Sequence, residues 1–201
     1  ERLIWTGGDS TLHTLGCVDW QAGVYGVVPV AAVAGPLQAY AGEEQQEVII
    51  AIGELLCIIL LAVARMDFWD GRLVLYVTDN ENTRIWLTKR RAGNRLARYA
   101  LRVLQLAETR GNFQVVAAGI WTKHNLSMDL TTRATRQVVQ EEMSRQGLQE
   151  IPLMEQWHAL FTELEQGSPL VLPGQRQATE DVARQLARRR QGAEAAARPL
   201  P

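Results

Sequence analysis

The run VIIAIGELLCIILLAVA, residues 48 to 64, decides how the rest of the chain is read, with Glu54 its one charged residue. It approaches the roughly 20 apolar residues that a transmembrane helix needs. Glu54 falls near its middle, where a carboxylate costs roughly 2.5–3.5 kcal/mol on insertion scales. Strand-like segments stand on both sides of the run, so a central helix buried on two sides accounts for it, and no membrane contact is expected. Glu43 and Glu44 put negative charge where a helix dipole favours it, and the helix is expected to run from there to about Met66.

Outward from that helix, the chain alternates between the two periodicities. Before it, residues 12 to 33 read as two strands. Thr14 to Val18 leads into Asp19, Gln21-Ala22-Gly23 turns, and Val24 to Val30 follows, with Leu37 to Tyr40 a candidate third strand. After it, Asp70-Gly71 is a turn and Arg72 to Thr78 a central strand. Asn80 can cap a helix over Thr83 to Lys89, and Arg95 to Thr109 is amphipathic. Phe113 to Trp121 is a further strand, and a helix begins near Ser127. The order predicts an α/β domain, a mixed five-stranded sheet flanked by helices, over residues 1–135. A C-terminal helical extension over 136–167 and a linker with a flexible or helical tail over 168–201 complete the reading, the linker marked by Pro169 and Pro173.

Composition narrows the classes. With 201 residues, 47% apolar and 21% charged, the chain can bury a sizeable core. A net charge of −1 gives no global attraction to nucleic acid, so any such partner must meet local charge. Seven of the 21 basic residues fall between Arg84 and Arg102 with no acid among them, and such a stretch can neutralise phosphates without reading sequence. A solvated helix face is the plainer alternative. Cys17 and Cys57 sit in apolar runs and read as buried free thiols, and three histidines cannot build a usual zinc site. No signal peptide is read at Glu1, and the chain is expected to be part of something longer, in an intracellular setting, cytoplasmic or nuclear.

Four acids stand out by context. Asp19 follows a strand at the lip of a hairpin. Glu54 is the acid of the apolar helix. Asp79 ends the central strand, where open α/β sheets place their sites. Asp129 lies in the first turn of the last helix. Taken alone, Asp19 also fits a plain turn residue, Asp79 an Asx turn and Asp129 a helix N-terminal acid. Glu54 has the least ordinary setting, since a carboxylate among apolar neighbours needs a cation or a partner. Hard oxygen ligands select Mg²⁺ or Mn²⁺, and two such ions can act together on a phosphodiester.

In that order the four segments resemble the ribonuclease H domain of retroelement reverse transcriptases, closest to the tyrosine-recombinase retrotransposon type. The family's motifs resemble Asp-Ala-Ser-x-x-Gly-x-Gly, a Glu-Leu-Leu run, Thr-Asp-Asn, and His-Asn-x-x-Ala-Asp-x-Leu-Thr-Arg. Here stand Asp19-Trp20-Gln21-Ala22-Gly23-Val24-Tyr25-Gly26, Glu54-Leu55-Leu56, Thr78-Asp79-Asn80, and His124-Asn125-Leu126-Ser127-Met128-Asp129-Leu130-Thr131-Thr132-Arg133. The resemblance implies a ribonuclease H-like fold in which Asp19, Glu54, Asp79 and Asp129 hold two Mg²⁺ ions, Mn²⁺ being able to substitute. It implies cleavage of the RNA strand of an RNA–DNA hybrid, His124 assisting product departure, and a reverse transcriptase domain of the same polyprotein as neighbour. Arg84, Lys89, Arg90, Arg91 and Arg95, with Asn80 and Asn125, are the expected nucleic-acid contacts. The alternatives are a catalytically silent binding or scaffolding module of the same fold and a transposase- or integrase-type nuclease.

Overall fold

The computed structural model describes residues 3–30 and 46–156 together with His158 and Thr162. Contacts divide the chain into a unit of Glu1–Ser168 and one of Pro169–Pro201, and the second lies outside the described residues. The expected strand at Leu37 to Tyr40 and the helix start at Glu43 also lie outside them.

The first unit is α/β, a mixed sheet flanked by helices. In chain order it comprises β1 (Leu3–Ser10), β2 (Thr14–Asp19), β3 (Val24–Pro29), α1 (Gln46–Arg65), β4 (Leu73–Thr78), α2 (Glu81–Lys89), α3 (Arg95–Gly111), β5 (Gln114–Gly119), α4 (Leu126–Arg133), α5 (Arg136–Arg145) and β6 (Gln149–Glu150). The six strands lie in the order β5-β4-β1-β2-β3-β6. The first three pair antiparallel in succession, while β4 joins β1, β5 joins β4 and β6 joins β3 in parallel.

Two features correct the five-strand expectation. The first is β1, which the sequence hides behind Gly7-Gly8. Glycines weaken a strand pattern, yet close packing requires them here. A Cβ on Gly8 would lie 2.7 Å from Cys57 Cβ and would collide with the Tyr76 hydroxyl. The second is β6. It extends the sheet beyond β3 and draws α5 with it, so residues 136–150 belong to the sheet domain and are not a separate helical extension. Val139, Met143 and Leu148 are buried in one cluster with Val18, Tyr25 and Met128. Burial of these apolar side chains at about 25 cal/mol per Å² is what ties the segment down.

Side chains alternate across a strand, so adjacent rungs show which helices lie on which face. Gly8 faces Cys57 of α1, whereas Gly16, opposite the next residue Asp9, faces Thr131 and Thr132 of α4. Thus α1 packs on one face and α4 on the other. The apolar run is α1, buried without interruption from Ala51 to Ala62 between the sheet and α3. The segment Gln46–Phe68 is long and apolar enough to cross a membrane, and its burial here is that of a core helix. Cys17 and Cys57 are free and buried, as expected of apolar thiols.

A carboxylate cluster at the ends of β1 and β4

Parallel register sets the centre of the site. Thr6 stands opposite Tyr76 and Gly7 opposite Val77 on β1 and β4. Two residues farther on, Asp9 and Asp79 leave these neighbouring strands at the same end of the sheet, where open α/β sheets place their ligands. Glu54 arrives from α1. Its helix can sit this close because Gly53 has no side chain: a Cβ there would be 2.7 Å from Ser10 Cβ and 2.9 Å from Leu15 Cδ2. Carboxylate oxygens of Asp9, Glu54 and Asp79 all lie within 4.8 Å of one another.

β4 holds Glu54 twice. The Tyr76 hydroxyl donates to the Glu54 carbonyl at 2.7 Å, and the Thr78 hydroxyl donates to Glu54 Oε2. The Thr132 hydroxyl of α4 donates to Asp9 Oδ2, and Asn125 Nδ2 donates to Asp79 Oδ1 at 3.4 Å. Asp9 and Glu54 are almost fully buried, at 3% and 2% exposure. No residue of the cluster has an ion-pair partner among the described residues. Burial accordingly pushes the Glu54 carboxyl up to about 8, the charges of Asp79 and Asp9 adding to it and the Thr78 and Asn80 hydrogen bonds opposing it. Asp9 is raised too, first by burial and then by Asp129 and Asp79, against the Thr132 hydrogen bond. Clustered carboxylate oxygens, those of Asp9 and Glu54 buried, could hold a hard divalent ion. A cleft of about 450 Å³ opens over them, with His13, Asn80 and Arg133 in its walls.

Of the four acids expected from sequence, the structure brings Glu54 and Asp79 together and sets Asp129 beside them. Asp129 is near enough to raise Asp9, and its Oδ1 lies 3.1 Å from Arg133 Nε. Asp19 is not in the cluster. It pairs with Thr6, three rungs back from Asp9, which is about 10 Å at the strand rise. There it accepts from the Trp69 indole at 3.1 Å and from Ala22 N at 2.9 Å. Asp9, at the end of the unexpected strand β1, joins Glu54 and Asp79 in the cluster where Asp19 was expected.

The other expected residues divide as well. Asn80 caps α2, accepting from Thr83 N at 3.2 Å, and lines the cleft. Asn125 is 3% exposed and bears on Asp79. His124 is exposed on the turn just before it. Lys89, Arg91 and Arg95 are exposed, whereas Arg84 pairs with Glu81 at 2.5 Å. Arg90 turns inward at the left-handed end of α2, reaching Glu108 at 2.5 Å and the Val115 carbonyl at 2.7 Å. It is a clasp between α2, α3 and β5, which removes it from the expected phosphate contacts.

No protein-family model, no curated protein and no solved structure matches this chain.

Proposed function

We propose that this chain is a ribonuclease H-type endonuclease that hydrolyses the RNA strand of RNA–DNA hybrids, as one domain of a retroelement reverse transcriptase polyprotein. The observation that carries the reading is the meeting of Asp9, Glu54 and Asp79 from three separate segments, none of them in an ion pair among the described residues. The resemblance of Thr78-Asp79-Asn80 and of His124 to Arg133 to the family's motifs supports it, with Asp9 taking the place of the first aspartate. An order of three antiparallel strands followed by two parallel ones, with the acids at the ends of β1 and β4, is compatible with a ribonuclease H-like fold.

Asp9, Glu54 and Asp79 would hold the metal, with Asp129 at its edge, and their all-oxygen character suits Mg²⁺ or Mn²⁺. Two such ions, when bound, supply charge neutralisation at both the entering and the departing oxygen of a phosphodiester. The chain's own residues set the geometry. Thr78, Thr132 and Asn125 fix one oxygen each of Glu54, Asp9 and Asp79, so the donors are oriented in advance. Glu54, with its carboxyl pushed up to about 8, must give up its proton as a cation enters, which makes loading depend on pH. Lys89, Arg91 and Arg95 offer exposed positive charge for backbone phosphates.

The test is incubation of the full chain with Mg²⁺ and a hybrid labelled in its RNA strand, beside duplex DNA and a chelator control. Internal cuts in the RNA strand that vanish in chelator are expected. Cutting that survives chelator overturns the metal reading, preference for duplex DNA favours a transposase, and binding without cutting leaves a silent module of the same fold.

A further inference from the structure

Asp19 belongs to a second built site. At the end of the sheet away from the carboxylate cluster, a cavity of about 330 Å³ opens between β1, the β2–β3 turn and the end of α1. Asp19, Gln21, Arg65, Phe68, Trp69 and Arg72 line it. Both Asp19 oxygens are taken by neutral donors, the Trp69 indole and the Ala22 amide. Arg65 Nε approaches Asp19 Oδ2 only to 3.6 Å, within reach as an ion pair and beyond a hydrogen bond, and this buried N–H has no hydrogen-bond partner among the described residues. The Arg65 guanidinium carbon lies over the Phe68 ring, 4.1 Å from its centroid. Arg72 enters the same cavity and forms no ion pair among the described residues.

Two guanidinium groups against one carboxylate leave a local charge of +1 within the lining. A guanidinium presents five N–H donors, and here Arg65 Nε has no hydrogen-bond partner among the described residues. Arginine forks from two different elements suit an oxyanion with several oxygens better than water or a neutral ligand. We propose that this cavity binds a phosphate group, gripped by Arg65 and Arg72 with the Gln21 amide as a further donor. Asp19 holds Arg65 in place and is not itself a ligand. Phe68, 66% exposed at the mouth, offers its ring to a base when the phosphate belongs to a nucleotide. None of these residues lies in the carboxylate cluster, so the site stands or falls independently of the nuclease reading.

The experiment is a ³¹P NMR titration of the full chain, at fixed ionic strength, with inorganic phosphate and separately with a nucleoside 5′-monophosphate. Saturable line broadening is expected. Arg72→Ala, at a half-exposed residue with no ion pair among the described residues, should melt like wild type and weaken binding by about tenfold, the loss of one charge-assisted contact. Arg65→Lys, which keeps the charge beside Asp19 but not the fork, should weaken it too. Tighter binding of the nucleotide assigns the site to nucleotides, and equal binding assigns it to the free ion. Broadening that never saturates, or that Arg72→Ala leaves unchanged, overturns the proposal.

Discussion

Asp9 and Asp19 stand on neighbouring strands, both almost wholly buried at 3% and 1% exposure, and they meet opposite surroundings. Asp9 faces Glu54 and Asp79, accepts from the Thr132 hydroxyl, and has no ion-pair partner among the described residues. Asp19 faces an indole N–H, a backbone N–H and Arg65. Desolvation acts on both, and the partners decide the result. Among like charges burial raises the carboxyl and stores repulsion that a divalent ion can relieve. Beside donors and a guanidinium it yields a fixed structural tie. Context within a strand, not residue type, therefore separates a candidate ligand from a pillar.

The largest expected effect tests that separation through activity. Asp9→Asn and Asp79→Asn each keep the shape and remove one negative charge from the cluster. Cleavage of hybrid should fall by orders of magnitude, while melting in chelator stays at least as high as wild type, since repulsion is reduced. Asp19→Asn should leave cleavage within a few-fold in protein that remains folded. Equal losses at Asp9 and Asp19, measured in folded protein, would dissolve the distinction between the two ends.

Much of this was legible in the sequence, and what was missed has two causes. Glu54 announces itself because an acid amid seventeen mostly aliphatic residues has no ordinary explanation. Asp79 follows from a clear central strand and a capped helix, both found where the pattern puts them. Asp9 is hidden because β1 needs glycines to pass under α1, and glycine erases the alternation by which a strand is read. A signal was still present. Trp20, Gln21 and Val24 depart from the small-residue pattern that should follow a first aspartate, whereas Leu3-Ile4-Trp5-Thr6 is a strand-like run ahead of Asp9. The reach of α5 and β6 was illegible for another reason. Two-residue β6 is too short to carry a period, and its place is fixed only by contacts with distant residues.

Stability gives the second and smaller test. Asp19→Ala strips Arg65 and the Trp69 indole of a buried partner and should lower urea-unfolding stability by about 3–5 kcal/mol. At the other end the sign reverses and depends on pH. The Glu54 carboxyl is raised from 4.5 to about 8, so the folded state holds the proton more tightly than the unfolded one. Its contribution is complete below about pH 4.5 and is lost as pH rises to about 8. A tenfold difference in proton affinity between the two states is worth about 1.4 kcal/mol, so in chelator this group alone can remove up to several kcal/mol over that window. Glu54→Gln should flatten the profile, and Mg²⁺ should restore wild-type stability at the alkaline end by binding the native state. A wild-type profile that rises through this window, with no response to Glu54→Gln, would mean that Glu54 is not held protonated.

The smallest effect concerns the basic segment, where the same contrast between engaged and available charge recurs within three residues. Lys89 and Arg91 are exposed, and Arg90 between them points inward to Glu108 and the Val115 carbonyl. A charge already held by a carboxylate releases no counterion from nucleic acid, so only the outer two should contribute to salt-dependent binding. Each phosphate contact contributes roughly −0.9 to the slope of log affinity against log salt. Replacing Lys89 and Arg91 together by alanine should therefore flatten that slope by about 1.8, with no change in melting. Arg90→Ala should leave the slope intact and instead lower stability by about 1–3 kcal/mol, the loss of hydrogen bonds involving a charged group. Hybrid binding measured from low to moderate salt on the two variants distinguishes the roles. If Arg90→Ala flattens the slope and Lys89/Arg91 does not, the inward clasp opens when nucleic acid binds, and exposure in the free protein is a poor guide to which charges do the gripping.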